Sequence, residues 1–383
     1  MTLGRFVRKN AFRNKRRSIL TLISISLSLL LLTVMMTIWH AFYNSDASAE
    51  SAQRLIVRHK VSLVQFMPIS YREKIRAIPG VKNIVNETWF QGQYIDDKQE
   101  NFFAQFGTDP NEVFDVFKDF HIPPDQLEAW KKDRAGCVVD ADLAKKHNWK
   151  VGDRLNLKGT IFPVDLELTI RGIFTAPQPT QTLYFNNAYI DEGYPRVKGY
   201  VGFYEVLADS PQSVPRVAKD IDATFRNTDR PTKSESEKAF NLDWIAMLGN
   251  VKAFILSICA AVVFATLLVS ANTMAMSIRE RTREVALLKT LGFTRRTVLV
   301  LFMSEAVTLA AFGGLVGAIG ATGLVYVLAH SPQMGLFLTG VTPNITTILI
   351  AVFVGATVGL ISSFVPAYNA SRRNIVEGLR HIG

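Results

Sequence analysis

Residues 277–297 read SIRERTREVALLKTLGFTRRT, a charged stretch between two long apolar runs that carries six Lys/Arg against two Glu. From Arg279 to Leu291 there is no Gly or Pro. Val285, Leu288 and Leu291 recur at three-residue steps, which predicts a helix with one apolar stripe beside a charged face. Gly292 stands where a residue just past a helix end belongs, and Thr294 where the next helix takes its N-cap. The plain reading is a solvated basic loop that fixes topology. The sharper one is a helix outside the bilayer on which another protein pushes.

The flanking runs decide what kind of chain this is. Four segments, 18–43, 251–276, 298–329 and 345–368, each hold enough apolar residues to cross about 30 Å of hydrocarbon at about 1.5 Å per helical residue. Charges inside them are confined to Lys252 and Glu305. The chain has 383 residues and a net charge of +10, and the placement of that charge matters more than its size. Residues 1–17 hold seven Lys/Arg and no acid, the hinge at 277–297 contributes +4 and residues 369–383 contribute +2, whereas residues 44–250 sum to −3. Positive charge confined to short segments beside the spans is a membrane-topology signature, and it argues against a nucleic-acid partner. The expected fold is a membrane protein with four transmembrane α-helices and a large mixed α+β extracytoplasmic domain (44–250) inserted between spans 1 and 2. Both termini and the hinge are expected in the cytoplasm, and the uncharged loop 330–344 outside.

Residues 1–17 suit a basic amphipathic helix lying on anionic lipid headgroups. Ala47-Ser48-Ala49 resembles a signal-peptide cleavage site, but the apolar run from Ile19 to Phe42 is too long for an h-region of about 7 to 15 residues, so an uncleaved anchor is expected. Trp39 and Tyr43 then sit at the outer aromatic belt. Within 44–250, turn signals such as Pro79-Gly80 and Gly107-Thr108-Asp109-Pro110 punctuate short elements. A helix is expected over 69–78, a strand over 81–85, a strand over 102–106, and a helix carrying Val113, Phe114 and Phe117. Further on come a strand at Cys137-Val138-Val139, a helix at 141–147, strands at 154–157 and 166–174, and helices at 214–225 and 235–248. The last is expected to run almost directly into span two as a stiff lever.

Chemistry is hard to find in this domain. Asp96, Asp97, Asp140 and Asp142 read as solvated surface acids, and neither G-x-S-x-G nor HExxH occurs. The six His lie at no metal-ligand spacing, so no metal site is expected, and Cys137 and Cys259 are not expected to pair. Glu305, inside span three, is a suspect for function because an acid in a span is costly. It also lies near a helix start, where the dipole favours it and Arg295 or Arg296 could reach back. Gly313, Gly314, Gly317, Gly320 and Gly323, with Gly355 and Gly359 facing them, mark a close helix-packing surface, within the bundle or between two copies.

The string Arg279-Glu280-Arg281-Thr282-Arg283-Glu284-Val285-Ala286-Leu287-Leu288-Lys289-Thr290-Leu291-Gly292 resembles the hallmark of the MacB/FtsX-type ABC transporter permeases, which include the LolC/LolE lipoprotein-release subunits. Leu301-Phe302-Met303-Ser304-Glu305-Ala306 and the tail from Pro366 to Arg380 are similar to the same family, with Ile375 where Pro is usual and Gly378 where Ala is usual. The resemblance implies that Arg279, Glu280, Arg281, Arg283, Glu284, Leu287, Leu288, Lys289, Leu291 and Gly292 belong to a coupling helix that docks on an ATPase. It also implies two permease chains, identical or paralogous, with a cytoplasmic ABC ATPase dimer, in a bacterial inner membrane. No Gly precedes a Lys in this chain, so a Walker A loop is absent and the chain is not expected to be an enzyme or to hold a cofactor. ATP and Mg are expected on the partner ATPase. Three functions compete: an export or extraction permease working by mechanotransmission, with a periplasmic adaptor and outer-membrane channel as further partners; an FtsX-like signalling subunit regulating a periplasmic enzyme; and a membrane-anchored receptor without a motor.

Overall fold

The computed structural model describes residues 15–43, 50–247, 249–329 and 344–372. The expected amphipathic helix before residue 15, the loop 330–343 and the tail beyond 372 lie outside them. The described residues divide into two compact units, one made of the long apolar helices and the other of residues 50–247.

The chain enters through α1 (Lys15–Tyr43), which is unbroken because no Gly or Pro interrupts it. In the outer unit β1 (Arg54–His59), β2 (Met67–Pro68), α2 (Tyr71–Arg76), β3 (Val81–Trp89) and β4 (Ala104–Thr108) come first. They are followed by α3 (Val113–Val116), α4 (Pro124–Lys132), β5 (Gly136–Asp140), α5 (Ala141–His147), β6 (Arg154–Leu157), β7 (Leu166–Phe174) and β8 (Thr182–Asn186). The unit closes with α6 (Ala188–Gly193), β9 (Tyr200–Val201), β10 (Phe203–Ala208), α7 (Val214–Thr224), β11 (Thr232–Ser236) and α8 (Glu237–Met247). Nine strands form one mixed sheet in the order β11-β1-β10-β3-β4-β8-β5-β7-β6, and β2 pairs with β9 apart from it. Pairing is parallel for β4 with β8 and for β5 with β7, and antiparallel elsewhere in the sheet.

Local chemistry explains the boundaries. Leu166–Phe174 alternates buried and more exposed side chains along its length, as a strand with one covered face must. Pro124 opens α4, where a missing N–H costs nothing, and Asn148 ends α5 in the left-handed region at φ 55°. Three apolar clusters fill the unit, one of them with Phe162 stacked on Phe90 and Phe185 edge-on to it and another built on Leu55, Tyr71, Tyr204 and Phe225. The third is built on Val85, Trp130, Phe174 and Tyr184.

Several sequence expectations need correction. The strand begun at Val81 continues to Trp89. The strand expected at 102–106 starts at Ala104 and ends at Thr108. The helix expected from Glu235 starts at Glu237, because Thr232–Ser236 pairs along β1 instead. Nor does α8 run on into the second long helix: Gly249 adopts φ +101° and Asn250 accepts a 3.0 Å hydrogen bond from the Ala253 amide, restarting the helix with a cap. Asp140 is not solvated. It is buried at 1% exposure and accepts the Thr180 and Gln181 amides at 2.9 and 2.8 Å, which makes it a strand-end brace.

The helical unit adds α9 (Val251–Glu280), α10 (Thr282–Thr290), α11 (Arg295–Ala329) and α12 (Ile345–Arg372) to α1. Four of these, α1, α9, α11 and α12, are long and apolar enough to cross a membrane; α11 is the most enclosed and α9 the least. Glycine sets how closely they pack. A Cβ on Gly317 would meet the Ser26 carbonyl oxygen of α1 at 2.5 Å, and one on Gly359 the Ala306 carbonyl oxygen of α11 at 2.8 Å. Gly313 likewise abuts Ile25, Gly320 abuts Leu30 and Gly355 abuts the Ala310 carbonyl. The glycine surface therefore works within this bundle, and Gly355 and Gly359 face alanines of α11 rather than its glycines. Gly323 meets nothing within 4 Å. A buried 2.7 Å hydrogen bond between the Ser270 and Ser362 hydroxyls joins α9 to α12. Where α1 ends and α9 begins, Trp39 and Tyr43 pack with ring centroids 4.6 Å apart, and the Lys252 ammonium lies 5.6 Å from the Trp39 ring.

Candidate functional site: the hinge between α9 and α11

The hinge is two pieces rather than one helix. The second long helix continues through Arg279 and Glu280, and Arg281 breaks it with φ −105° and ψ 18° before α10 begins at Thr282. The reason for the break is visible in the Arg281 side chain. It turns inward, buried, and its Nη1 donates to Glu305 Oε2 of α11 at 2.8 Å. Glu305 thus has Arg281 as its partner across a gap of 24 positions, in place of the Arg295 or Arg296 expected from proximity in sequence. Glu305 shares a cleft with Ser18 and Thr21 of α1 and Ser270, Thr273 and Ser277 of α9.

An ion pair in an apolar bundle is strong because neither charge has another good solvent, and removing one partner from such a pair costs about 3–5 kcal/mol. It fixes the turn that aims α10. Thr282, Val285 and Ala286 are buried, and Val285 joins Met274, Ile278, Val298, Phe302, Ala306, Ala367 and Ala370 in one apolar cluster. The expected stripe of Val285, Leu288 and Leu291 is therefore only partly inward. Leu288 is half-buried, while Leu291 is 76% exposed and Leu287 and Phe293 are exposed beside it.

Helix α10 ends as its sequence suggests. Gly292 takes φ +91°, its amide bonds the Lys289 carbonyl at 3.1 Å, and the Phe293 amide reaches the Leu288 carbonyl at 3.1 Å. Thr294 Oγ1 accepts the Thr297 amide at 3.3 Å, starting α11. Partial burial, with Arg295 nearby, holds the Lys289 ammonium below the usual lysine range. The outward face so produced combines Leu287, Leu291 and Phe293 with Arg279, Glu280 and Arg283, all exposed. Glu284 and Lys289 are half-buried at its margin.

Elsewhere, Cys137 and Cys259 are free thiols, and burial pushes the Cys137 thiol up, which leaves it unreactive. Among the described residues no group of three or more His, Cys, Asp or Glu is placed to hold a metal ion.

Two families match this chain: the MacB-like periplasmic core domain over residues 18–224 and the FtsX-like permease C-terminal region over residues 254–375. The chain belongs to the MacB/FtsX family of ABC transporter permeases. It is 24% identical over 399 aligned residues to an uncharacterized ABC transporter permease of Methanocaldococcus jannaschii, covering 98% of this chain and 96% of that one. A macrolide export ATP-binding/permease protein MacB of Syntrophobacter fumaroxidans is 37% identical over 113 residues, which are 29% of this chain and 15% of that protein. The periplasmic region of MacB from Actinobacillus actinomycetemcomitans matches 49% of this chain and 90% of its own length, with a TM-score of 0.37 and 12% identity. As a MacB/FtsX permease the chain is a multi-pass membrane protein with a mixed α and β domain between spans 1 and 2.

Proposed function

We propose that this chain is the permease subunit of an ABC transporter, worked from the cytoplasmic side by a separate ATPase dimer that grips α10 and the turn after it. The observation that carries this is the outward face of α10. Three large apolar side chains, Leu287, Leu291 and Phe293, stand exposed beside Arg279, Glu280 and Arg283, on a helix tied to the bundle by Arg281 and Glu305. An apolar centre with a charged rim is what a protein interface presents. A lone solvated loop has no use for it.

The ATP and Mg belong to the partner ATPase, and the relatives named ATP-binding/permease proteins associate the two activities by name. Both termini and α10 lie in the cytoplasm, as the clustering of positive charge indicates. Motion imposed on α10 reaches α11 through the Arg281–Glu305 contact, and the bundle passes it to the outer domain, which exports or extracts a substrate by mechanotransmission. The little-covered α9 is the face offered to a second permease chain, identical or paralogous. The test is copurification of the ATPase from detergent-solubilised native membranes. Leu291→Asp, at a 76% exposed position, leaves the fold intact and lowers ATPase recovery about tenfold, the effect of losing about 1.4 kcal/mol at an interface. Unchanged recovery with Leu291→Asp and Arg283→Glu combined sinks the coupling role.

A further inference from the structure

The outer unit buries two carboxylic acids that the transport reading does not use. Glu87 of β3 and Glu205 of β10 are 3% and 6% exposed. The register sets Glu205 opposite Val85 and Glu87 opposite Phe203, so the two acids are diagonal neighbours on one face of the sheet. On its other side Glu205 lies opposite Ile56, which makes it diagonal to both Arg54 and Arg58 of β1. Glu87 Oε1 and Glu205 Oε2 are buried without a hydrogen-bond partner.

The neighbouring cations are already engaged. Arg54 gives Nη1 to Asp119 at 2.5 Å and Nε to Glu237, at the head of α8, at 2.7 Å, with its guanidinium 5.0 Å over the Phe117 ring. Arg58 donates to Glu235 of β11 at 2.9 Å, which also meets Lys233 at 2.7 Å, and Asp243 of α8 approaches Arg58 at 4.0 Å. From β8 the same enclosure receives the buried phenol of Tyr184. Acids outnumber cations here, and a carboxylate with neither water nor a cation is too costly to remain ionised.

We propose that Glu87 and Glu205 form a proton-loaded latch: with both protonated, Arg54 is left to hold Glu237 at the head of α8, and once Glu87 ionises beside its buried neighbour it draws Arg54 away and releases Glu237. Strand β1 is the first strand after α1, and α8 is the last element before α9, so the Arg54–Glu237 contact ties the entry of the outer domain to its exit. The pH outside the membrane then sets how firmly α8 is held. Burial, with Glu237 adding and Arg54 subtracting, pushes Glu87 up to about 8, and burial with Glu87 and Glu237 drives Glu205 well above the carboxylate range. The latch is closed at neutral pH and opens as Glu87 loses its proton, as pH rises through about 8, while Glu205 holds its own. It concerns the outer domain alone and stands whether or not an ATPase drives the chain.

The test is hydrogen–deuterium exchange of residues 232–247 in the full chain, held in phosphatidylcholine nanodiscs and corrected for intrinsic rates, between pH 6 and 9. Protection in the native chain is expected to fall about tenfold from pH 7 to 9, the response to one unit of titration beyond the midpoint. The Glu87→Gln/Glu205→Gln variant is expected to keep its pH 7 protection throughout. A flat native profile, or an equal fall in the variant, overturns the proposal. Infrared spectra of the native chain give a second reading that needs no folded variant: a protonated-carboxyl band that is lost as pH rises through about 8 supports the latch, and a carboxyl region unchanged between pH 6 and 9 overturns it.

Discussion

The described residues contain two buried arginines, one in each unit, and they are held in different ways. Arg281, at the turn between α9 and α10 in the helical unit, meets Glu305 at 2.8 Å, charge against charge. Arg54, in the outer unit, is bonded to Asp119 and Glu237 while Glu87 and Glu205 crowd behind it. Matched charges make a fixed anchor. Surplus acids make a contact that protons regulate. The surroundings differ too, since the helical unit packs glycine against backbone and the outer unit packs aromatic rings in stacked and edge-on pairs.

The largest expected effect breaks the fixed anchor. Glu305→Ala leaves Arg281 buried without its carboxylate and is expected to cost about 3–5 kcal/mol, read as a lower thermal midpoint of the detergent-solubilised chain. The double change Arg281→Met with Glu305→Leu should recover most of that loss, and failure to recover it would mean the pair does more than hold the turn. Next in size, Gly317→Leu drives a side chain into the α1 backbone and is expected to cost about 1–3 kcal/mol or more, while Gly323→Leu, with open space around it, stays within about 0.5 kcal/mol. Equal losses at the two glycines would show that the packing surface is not where the distances put it.

A smaller effect sharpens the outer half of the comparison. Burial pushes the folded Glu87 carboxyl up to about 8 from an ordinary value of 4.5. An acid raised in this way stabilises the fold most where it is protonated in both folded and unfolded chains, and that stability drains away as pH climbs from about 4.5 through about 8. The thermal midpoint of the full chain is therefore expected to fall by several degrees between pH 6 and 9, and Glu87→Gln should flatten the slope.

Much of this was legible in the residues. Uninterrupted apolar runs located the long helices, and α5, β6 and β7 lie where turn residues and alternation place them. Strands β8 and β10 escaped because Leu183-Tyr184-Phe185 and Tyr204-Glu205-Val206-Leu207 are covered on both faces, so no alternation survives to be read. Strand β11 escaped for the opposite reason: Thr-Lys-Ser-Glu-Ser is polar throughout and reads as the start of a helix. In the hinge, Gly292 and Thr294 declared their roles, since caps are local chemistry. The Arg281–Glu305 contact did not, because it depends on a helix break that turns a side chain by tertiary packing. The same break explains why Leu287 and Leu291 face outward although a three-residue stripe pointed Leu291 inward.

The central claim is that α10 faces the cytoplasm and is gripped there. A cysteine at the most exposed apolar position of that face, Leu291→Cys, can be probed with a membrane-impermeant maleimide in sealed vesicles of either orientation. Labelling is expected only in inside-out vesicles, and is expected to fall when the copurifying ATPase is present. Labelling in right-side-out vesicles would contradict the account outright.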